Sequence, residues 1–210
     1  SLACTVFERE IALHATGASH IVESLFFEMG LHDQPDRLRS TLQENLAAVN
    51  ARTEIEAVLL AYGFCGCGTA RLRPMRHKLR AHDCITVFMG SKEAYGEHQQ
   101  CSPTCYYYSP GQNCGFRLHS QERLEAIKSE LAKIFDPEDV EFLIETEREQ
   151  WAMHDTATYL ELGTDDAKSE AEYAHKCADW LNWKFEHLQG NPALLHDLLL
   201  GNWDDKRFQI

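Results

Sequence analysis

Residues 58–90 read VLLAYGFCGCGTARLRPMRHKLRAHDCITVFMG, and this stretch constrains the fold more than any other. The apolar run 58–62 has no polar face, as expected of a central strand in a parallel sheet covered on both sides. It leads straight into a turn of glycine and cysteine, with Gly63, Cys65, Gly66, Cys67 and Gly68, and then Thr69. Glycines there let the backbone approach a ligand closely, and open α/β sheets bind ligands outside the carboxyl ends of their strands. A second apolar run, 85–89, follows the triplet His82-Asp83-Cys84 and is read as a further strand.

The flanking sequence supplies the rest of an α/β pattern. Residues 2–7 suit a first strand with Cys4 inside it, followed by a helix to about residue 18 that has Glu8, Arg9 and Glu10 near its start. A second strand is expected over 21–29. Pro35 then opens a helix whose Leu38, Leu42, Leu46 and Val49 form one apolar stripe. With a third strand over 55–62, the β-α-β-α-β order implies parallel pairing through crossover helices. Gly90 and Ser91 open a helix to about residue 100. Tyr106, Tyr107 and Tyr108 suit a strand with Tyr107 facing away from the other two, ending at a Pro110-Gly111 turn. Helices are expected over 120–154, broken at Asp136-Pro137, and over 166–181. A strand is expected over 157–162 and another over 183–188, and a last helix lies between Asn191 and Gly201. The expected fold is α/β, a mostly parallel sheet with helices on both faces, with two similar α/β lobes as a variant of the same plan. Residues 1–118 would form an N-terminal α/β lobe carrying the cysteine site. Residues 119–210 would form a helical segment and C-terminal α/β portion packed as one unit.

A net charge of −13 on 210 residues argues against nucleic acid, which needs a basic face, and against an anionic membrane surface. No apolar run approaches the length of a transmembrane helix, and SLACTVFERE has neither the basic nor the apolar region of a signal peptide. The expectation is a cytoplasmic protein, its start at Ser1 trimmed, with a small-molecule substrate and a homo-oligomeric state left open. Eight cysteines in such a compartment point to metal or redox chemistry more than to disulfides. Seven of them lie within the first 114 residues; Cys177, alone on a helix, reads as a buried thiol.

Cys4, Cys65 and Cys84 each fall in or at the end of a separate expected strand. Three thiolates with a fourth position open suit a catalytic zinc or an iron–sulfur cluster with one iron left for substrate. Small buried side chains are the plain alternative. His82 and Cys84 would share a face of the strand, with Asp83 opposite. His82 is therefore a fourth ligand or a general acid–base beside the metal; His82 and Asp83 are the candidate catalytic groups, and Gly63, Gly66 and Gly68 the candidate cofactor or substrate cradle. The loop matches no nucleotide-binding pattern. Cys101, Cys105 and Cys114 match no zinc or ferredoxin spacing, and their role, like that of Cys67, stays open.

The segments ACTVF, MGLHDQPDRL, LLAYGFCGCGT, RAHDCITVFMGS, YYYSPG and GNPALLHDLLLGNWDDKRF resemble the DUF1638 family of archaea and bacteria, from Ala3 to Phe208. The resemblance implies that Cys4, Cys65, Cys84, Gly63, Gly66, His82 and Asp83 belong to the family pattern. Some members are encoded beside corrinoid-dependent methyltransferases, which implies a link to that system. The chain departs from the pattern at YYYSPGQNCG, where the family reads YY-x-TPGW, so Cys101, Cys105 and Cys114 look like additions of a subgroup. Two functions follow as expectations: a metal- or iron–sulfur-dependent enzyme acting on a small molecule, or an accessory or carrier protein for a metal or cofactor in corrinoid-dependent methyl transfer.

Overall fold

The stripe expected after Pro35 forms as read. Helix α2 (Pro35–Asn50) has proline in its first turn and buries Leu38, Leu42 and Leu46 along one side. It belongs to a computed structural model that describes residues 1–64, 67–72, 77–79, 83–115, 118–204 and 207–209. Strand β1 (Leu2–Cys4) passes through a 3-10 turn into α1 (Glu8–Ala15), and β2 (Leu25–Phe27) precedes α2. Strand β3 (Leu59–Ala61) and β4 (His77–Leu79) follow. The expected strands were longer than these; residue 21, for instance, is an exposed isoleucine outside β2.

The run 85–89 is helix, not strand. Helix α3 (Cys84–Met89) is capped by Asp83, whose Oδ1 accepts a hydrogen bond from the Thr86 backbone N–H at 2.8 Å, and it ends on Gly90 in the left-handed region (φ 81°). An apolar surface on every side hides helical periodicity, so composition alone does not separate a short buried helix from a strand. Helix α4 (Lys92–Cys101) leads to β5 (Cys105–Tyr108), also as expected. The expected Pro110-Gly111 turn is instead the first turn of α5 (Pro110–Asn113), where Ser109 Oγ accepts from Gln112 N–H.

Helices α6 (Gln121–Leu131) and α7 (Pro137–Trp151) are separated where Asp136-Pro137 predicted a break. Strand β6 (Thr156–Glu161), α8 (Ala167–Leu181), β7 (Lys184–Gln189), α9 (Ala193–Leu200) and β8 (Phe208–Gln209) complete the order. Ser120 caps α6 by accepting from Arg123 N–H at 3.1 Å while itself almost fully buried. Ser120→Ala is expected to cost about 1 kcal/mol in chemical denaturation, because it removes the cap.

The chain is α/β with two sheets, each in its own unit. Ser1–Glu97 with Gly190–Ile210 forms one unit, and His98–Gln189 the other. The expected boundary at 118/119 falls inside the second unit, between α5 and α6, and the last twenty or so residues return to the first. In the first unit the strand order is β2-β1-β3-β4-β8. The first four strands are parallel, and β8 is antiparallel on the edge. Helix α9, with Leu194, Leu195, Leu198 and Leu199 buried, packs on α1, α3, β3 and β4. In the second unit β5, β6 and β7 form a parallel sheet in that order. Tyr108, Ala157 and Tyr159 pack there with Ala174, Cys177 and Ala178 of α8. Cys177 is the buried thiol the sequence suggested, and burial pushes its pKa up to about 11. Tyr107 does face away from Tyr106 and Tyr108.

Candidate functional site at the carboxyl end of the first sheet

The order β2-β1-β3-β4 places a topological switch point between β1 and β3. The connection after β1 leads to β2 on one side, and the connection after β3 leads to β4 on the other. Such a divergence leaves a crevice beyond the carboxyl ends of the two strands. Cys4 is the last residue of β1, and Tyr62 and Gly63 follow β3 directly.

Pairing of Leu2 with Leu60 and of Ala3 with Ala61 brings Cys4 beside Tyr62. The Cys4 thiol is buried, and it shares hydrogen bonds with the Val6 backbone and the Thr5 and Tyr62 side chains. Burial nevertheless prevails and raises its pKa, so without a cation beside it the group is a neutral thiol.

Gly63 explains how the start of α3 comes to the end of β3. A Cβ at Gly63 would stand 2.6 Å from the Cα of Asp83 and 2.9 Å from its N and C. Only glycine lets the end of β3 approach the start of α3 this closely. Cys84, the first residue of α3 and half-buried, therefore arrives at the same end of the sheet as Cys4. Asp83 caps α3 with its Oδ1, which also accepts from Thr86 Oγ1 at 3.0 Å. The expected strand arrangement, with Asp83 opposite His82 and Cys84, does not form, because Asp83 and Cys84 begin a helix.

The loop after Gly63 is fastened back onto the sheet. Thr69 Oγ1 donates to the Gly63 carbonyl at 3.0 Å. Arg39 of α2 donates to the Cys67 carbonyl at 2.9 Å and to the Ala70 carbonyl at 3.3 Å. Cys67 is exposed with a left-handed backbone (φ 68°), and Gly68 is buried. Cys65, Gly66 and His82 lie outside the described residues. Among the described residues no three His, Cys, Asp or Glu side chains are gathered as metal ligands. Of the expected thiol set, the structure thus brings Cys4 and Cys84 to one end and does not describe the third.

Glu10 is a buried acid that sequence reasoning did not single out. It stands in the first turn of α1, the helix that follows Cys4, and is fully buried. Neither carboxyl oxygen has a hydrogen-bond partner on another described residue. Burial raises its pKa from 4.5 to about 7, outweighing its own backbone N–H and the Arg9 charge. In the sequence Glu10 looked like an ordinary acid at a helix start. A cavity of about 580 Å³ lies at the opposite end of the sheet, where Ser1, Leu2, Leu25 and Leu59 line it with Arg52 and Glu23. It holds no thiol, and Arg52 is already paired with Glu23 there, so the chemistry points to the carboxyl end instead. Among the described residues no helix is long and apolar enough to cross a membrane.

A family model described as a protein of unknown function, DUF1638, matches residues 26–199. The matched span contains Gly63, Cys65, His82, Asp83 and Cys84 and begins after Cys4 and Glu10. No curated protein and no solved structure matches the chain.

Proposed function

The chain belongs to the DUF1638 family, and from that premise we propose that it is an enzyme acting on a small molecule at the carboxyl end of its first sheet. In this reading Cys4, Cys65 and Cys84 hold a zinc ion or an iron–sulfur cluster. The observation that supports the reading is the close approach of Gly63 to Asp83, which sets the start of α3 against the end of β3, the strand beside the one that Cys4 ends. The donor set fits the group. Thiolates are preferred ligands of both zinc and iron–sulfur clusters, and a cation would relieve the cost of ionising a buried Cys4.

Zinc bound there would activate a thiol or polarise an oxygen, and a four-iron cluster would offer a Lewis-acidic iron or an electron. The chain's own residues would do the remaining work. Gly68 lets the backbone come close to the substrate, Gly63 admits the start of α3, and Thr69 with Arg39 holds the loop between them in place. Asp83 fixes the first turn of α3 and hence Cys84. His82 and Asp83 are the candidate groups for moving a proton at the substrate. A carrier for the same metal, including one serving corrinoid-dependent methyl transfer, would need the thiols but no acid–base partner, so His82→Ala should leave its metal bound and should abolish turnover in an enzyme.

Protein prepared without oxygen should contain stoichiometric zinc or iron by elemental analysis, with iron giving visible colour. Cys4→Ser and Cys84→Ser should each reduce the metal content at least tenfold while the fold is retained by circular dichroism. A folded wild-type protein free of metal after such a preparation would sink the proposal.

A further inference from the structure

The second sheet carries a buried polar row on the face turned away from α8. Parallel pairing sets Tyr107 beside Thr158 and Thr158 beside Glu186, and Thr158 is completely buried. Cys105 lies two residues before Tyr107 on the same edge strand and so shares this face. The end of α4 lays His98 and Gln99 onto the row. His98 Nδ1 is 2.7 Å from Tyr107 Oη and 3.9 Å from Cys105 Sγ, and His98 Nε2 is 2.9 Å from Glu186 Oε2. Gln99 Nε2 donates to Tyr107 Oη at 3.0 Å and to Cys105 Sγ at 3.4 Å. Thr158 Oγ1 donates to Glu186 Oε2 at 3.0 Å.

The proton positions follow from the partners. Glu186 Oε2 is an acceptor as a carboxylate, so His98 Nε2 carries the hydrogen in that bond and Nδ1 keeps a lone pair. That lone pair faces the Tyr107 hydroxyl and the Cys105 thiol. The two ring nitrogens thus serve opposite sides, and Cys105, His98 and Glu186 form a chain rather than a ring of ligands around one point. Such a sequence of nucleophile, base and orienting carboxylate is the arrangement of a thiol acyl-transfer site. A separation of 3.9 Å is long for the first link, as nucleophile–base distances often are before substrate binds.

We propose that this face is a second site, separate from the thiols of the first sheet, in which Cys105 accepts an acyl group from a small activated ester or thioester. His98 takes the Sγ proton at Nδ1, directly or through Tyr107 Oη, as Sγ attacks the acyl carbon and the S–C bond forms. The carbonyl π pair moves onto oxygen, where the Gln99 amide donates to it. Collapse re-forms the carbonyl and breaks the bond to the leaving alcohol or thiol, which takes the proton from His98. Water then repeats the sequence on the thioester, releasing the carboxylic acid and returning the thiol. Glu186 is a positioning residue that holds the His98 tautomer. Cys105 is itself buried, so the site suits slender acyl chains. Burial and the Glu186 charge both favour the neutral thiol, which makes a base necessary. The Tyr107 hydroxyl is a further titratable group that faces His98.

The test uses the full chain with p-nitrophenyl acetate at neutral pH, following p-nitrophenolate release and locating the acetyl group by peptide mass mapping. The wild type should acetylate at Cys105, and Cys105→Ser should remove that label. His98→Ala should slow Cys105 acetylation about a hundredfold, and free imidazole should restore part of the rate. Glu186→Gln should slow it about tenfold, with Glu186→Asp recovering most of the loss. If the network only ties α4 to the sheet, His98→Ala would loosen it and acetylate Cys105 as fast as the wild type or faster. That result, or an unlabelled Cys105 in the wild type, would overturn the proposal. Should His98→Ala fail to fold, Glu186→Gln decides alone, since it keeps the shape of the side chain: a slower rate supports the relay, and an unchanged or faster one refutes it.

Discussion

Glu10→Gln is expected to stabilise the protein by roughly 3 kcal/mol at about pH 8 and to change it little at about pH 4. The carboxyl of Glu10 has an ordinary pKa of 4.5 when the chain is unfolded and about 7 when it is folded. Between those two values the folded state binds the proton that the unfolded state has lost, so stability falls as pH rises through the window. Below 4.5 both states are protonated, and above about 7 both are ionised, with the full cost of a buried, unpartnered carboxylate in place. Each tenfold change in proton affinity is worth about 1.36 kcal/mol, which gives the magnitude. Glutamine removes the titration while burying a polar group of similar size. Urea denaturation of both proteins across that range measures the difference, and parallel pH profiles would contradict it.

Gly63→Ala should destabilise the fold by about 3 kcal/mol, at the upper end for overpacking, and should lower metal content along with it. The added methyl would meet three backbone atoms of Asp83, all closer than 3.0 Å. No rotamer change can relieve a clash with backbone, so either β3 or the start of α3 has to move, and Cys84 moves with α3. Gly96 is the internal comparison, because open space surrounds its Cβ position within α4. Gly96→Ala should be neutral or stabilising by up to about 1 kcal/mol. Thermal and urea denaturation of the pair, with metal analysis, distinguishes a specific contact at Gly63 from a general intolerance of substitution. Equal stabilities for the two variants would refute the assigned contact.

Local sequence was sufficient wherever a pattern and its punctuation agreed. The leucines of α2 repeat at helical spacing behind Pro35, and Asp136-Pro137 separates α6 from α7. The continuous run into Gly63 marks a buried parallel strand that ends at a glycine turn. These features gave the α/β class and directed attention to Cys4, Gly63, Asp83 and Cys84. In α3 the punctuation was present, Asp83 before the run and Gly90 after it. A segment buried on several sides lacks the polar stripe that reveals a helix, so the run itself looked like a strand.

Tertiary structure alone decided which distant groups share an environment. Helix α9 returns to the first unit and β8 closes its edge, although no local signal in residues 190–210 separates them from the preceding lobe. Glu10 is set apart from the other acids of its helix only by the surroundings that bury it. Cys105, His98 and Glu186 become neighbours because parallel register aligns three strands and α4 ends above them. Periodicity and turn chemistry act over a few residues, so the sequence by itself determined most of the elements, the helices α3 and α5 excepted, and pointed to the glycine turn that ends β3. Burial and pairing depend on contacts across the whole chain, and they decided which of those groups share an environment.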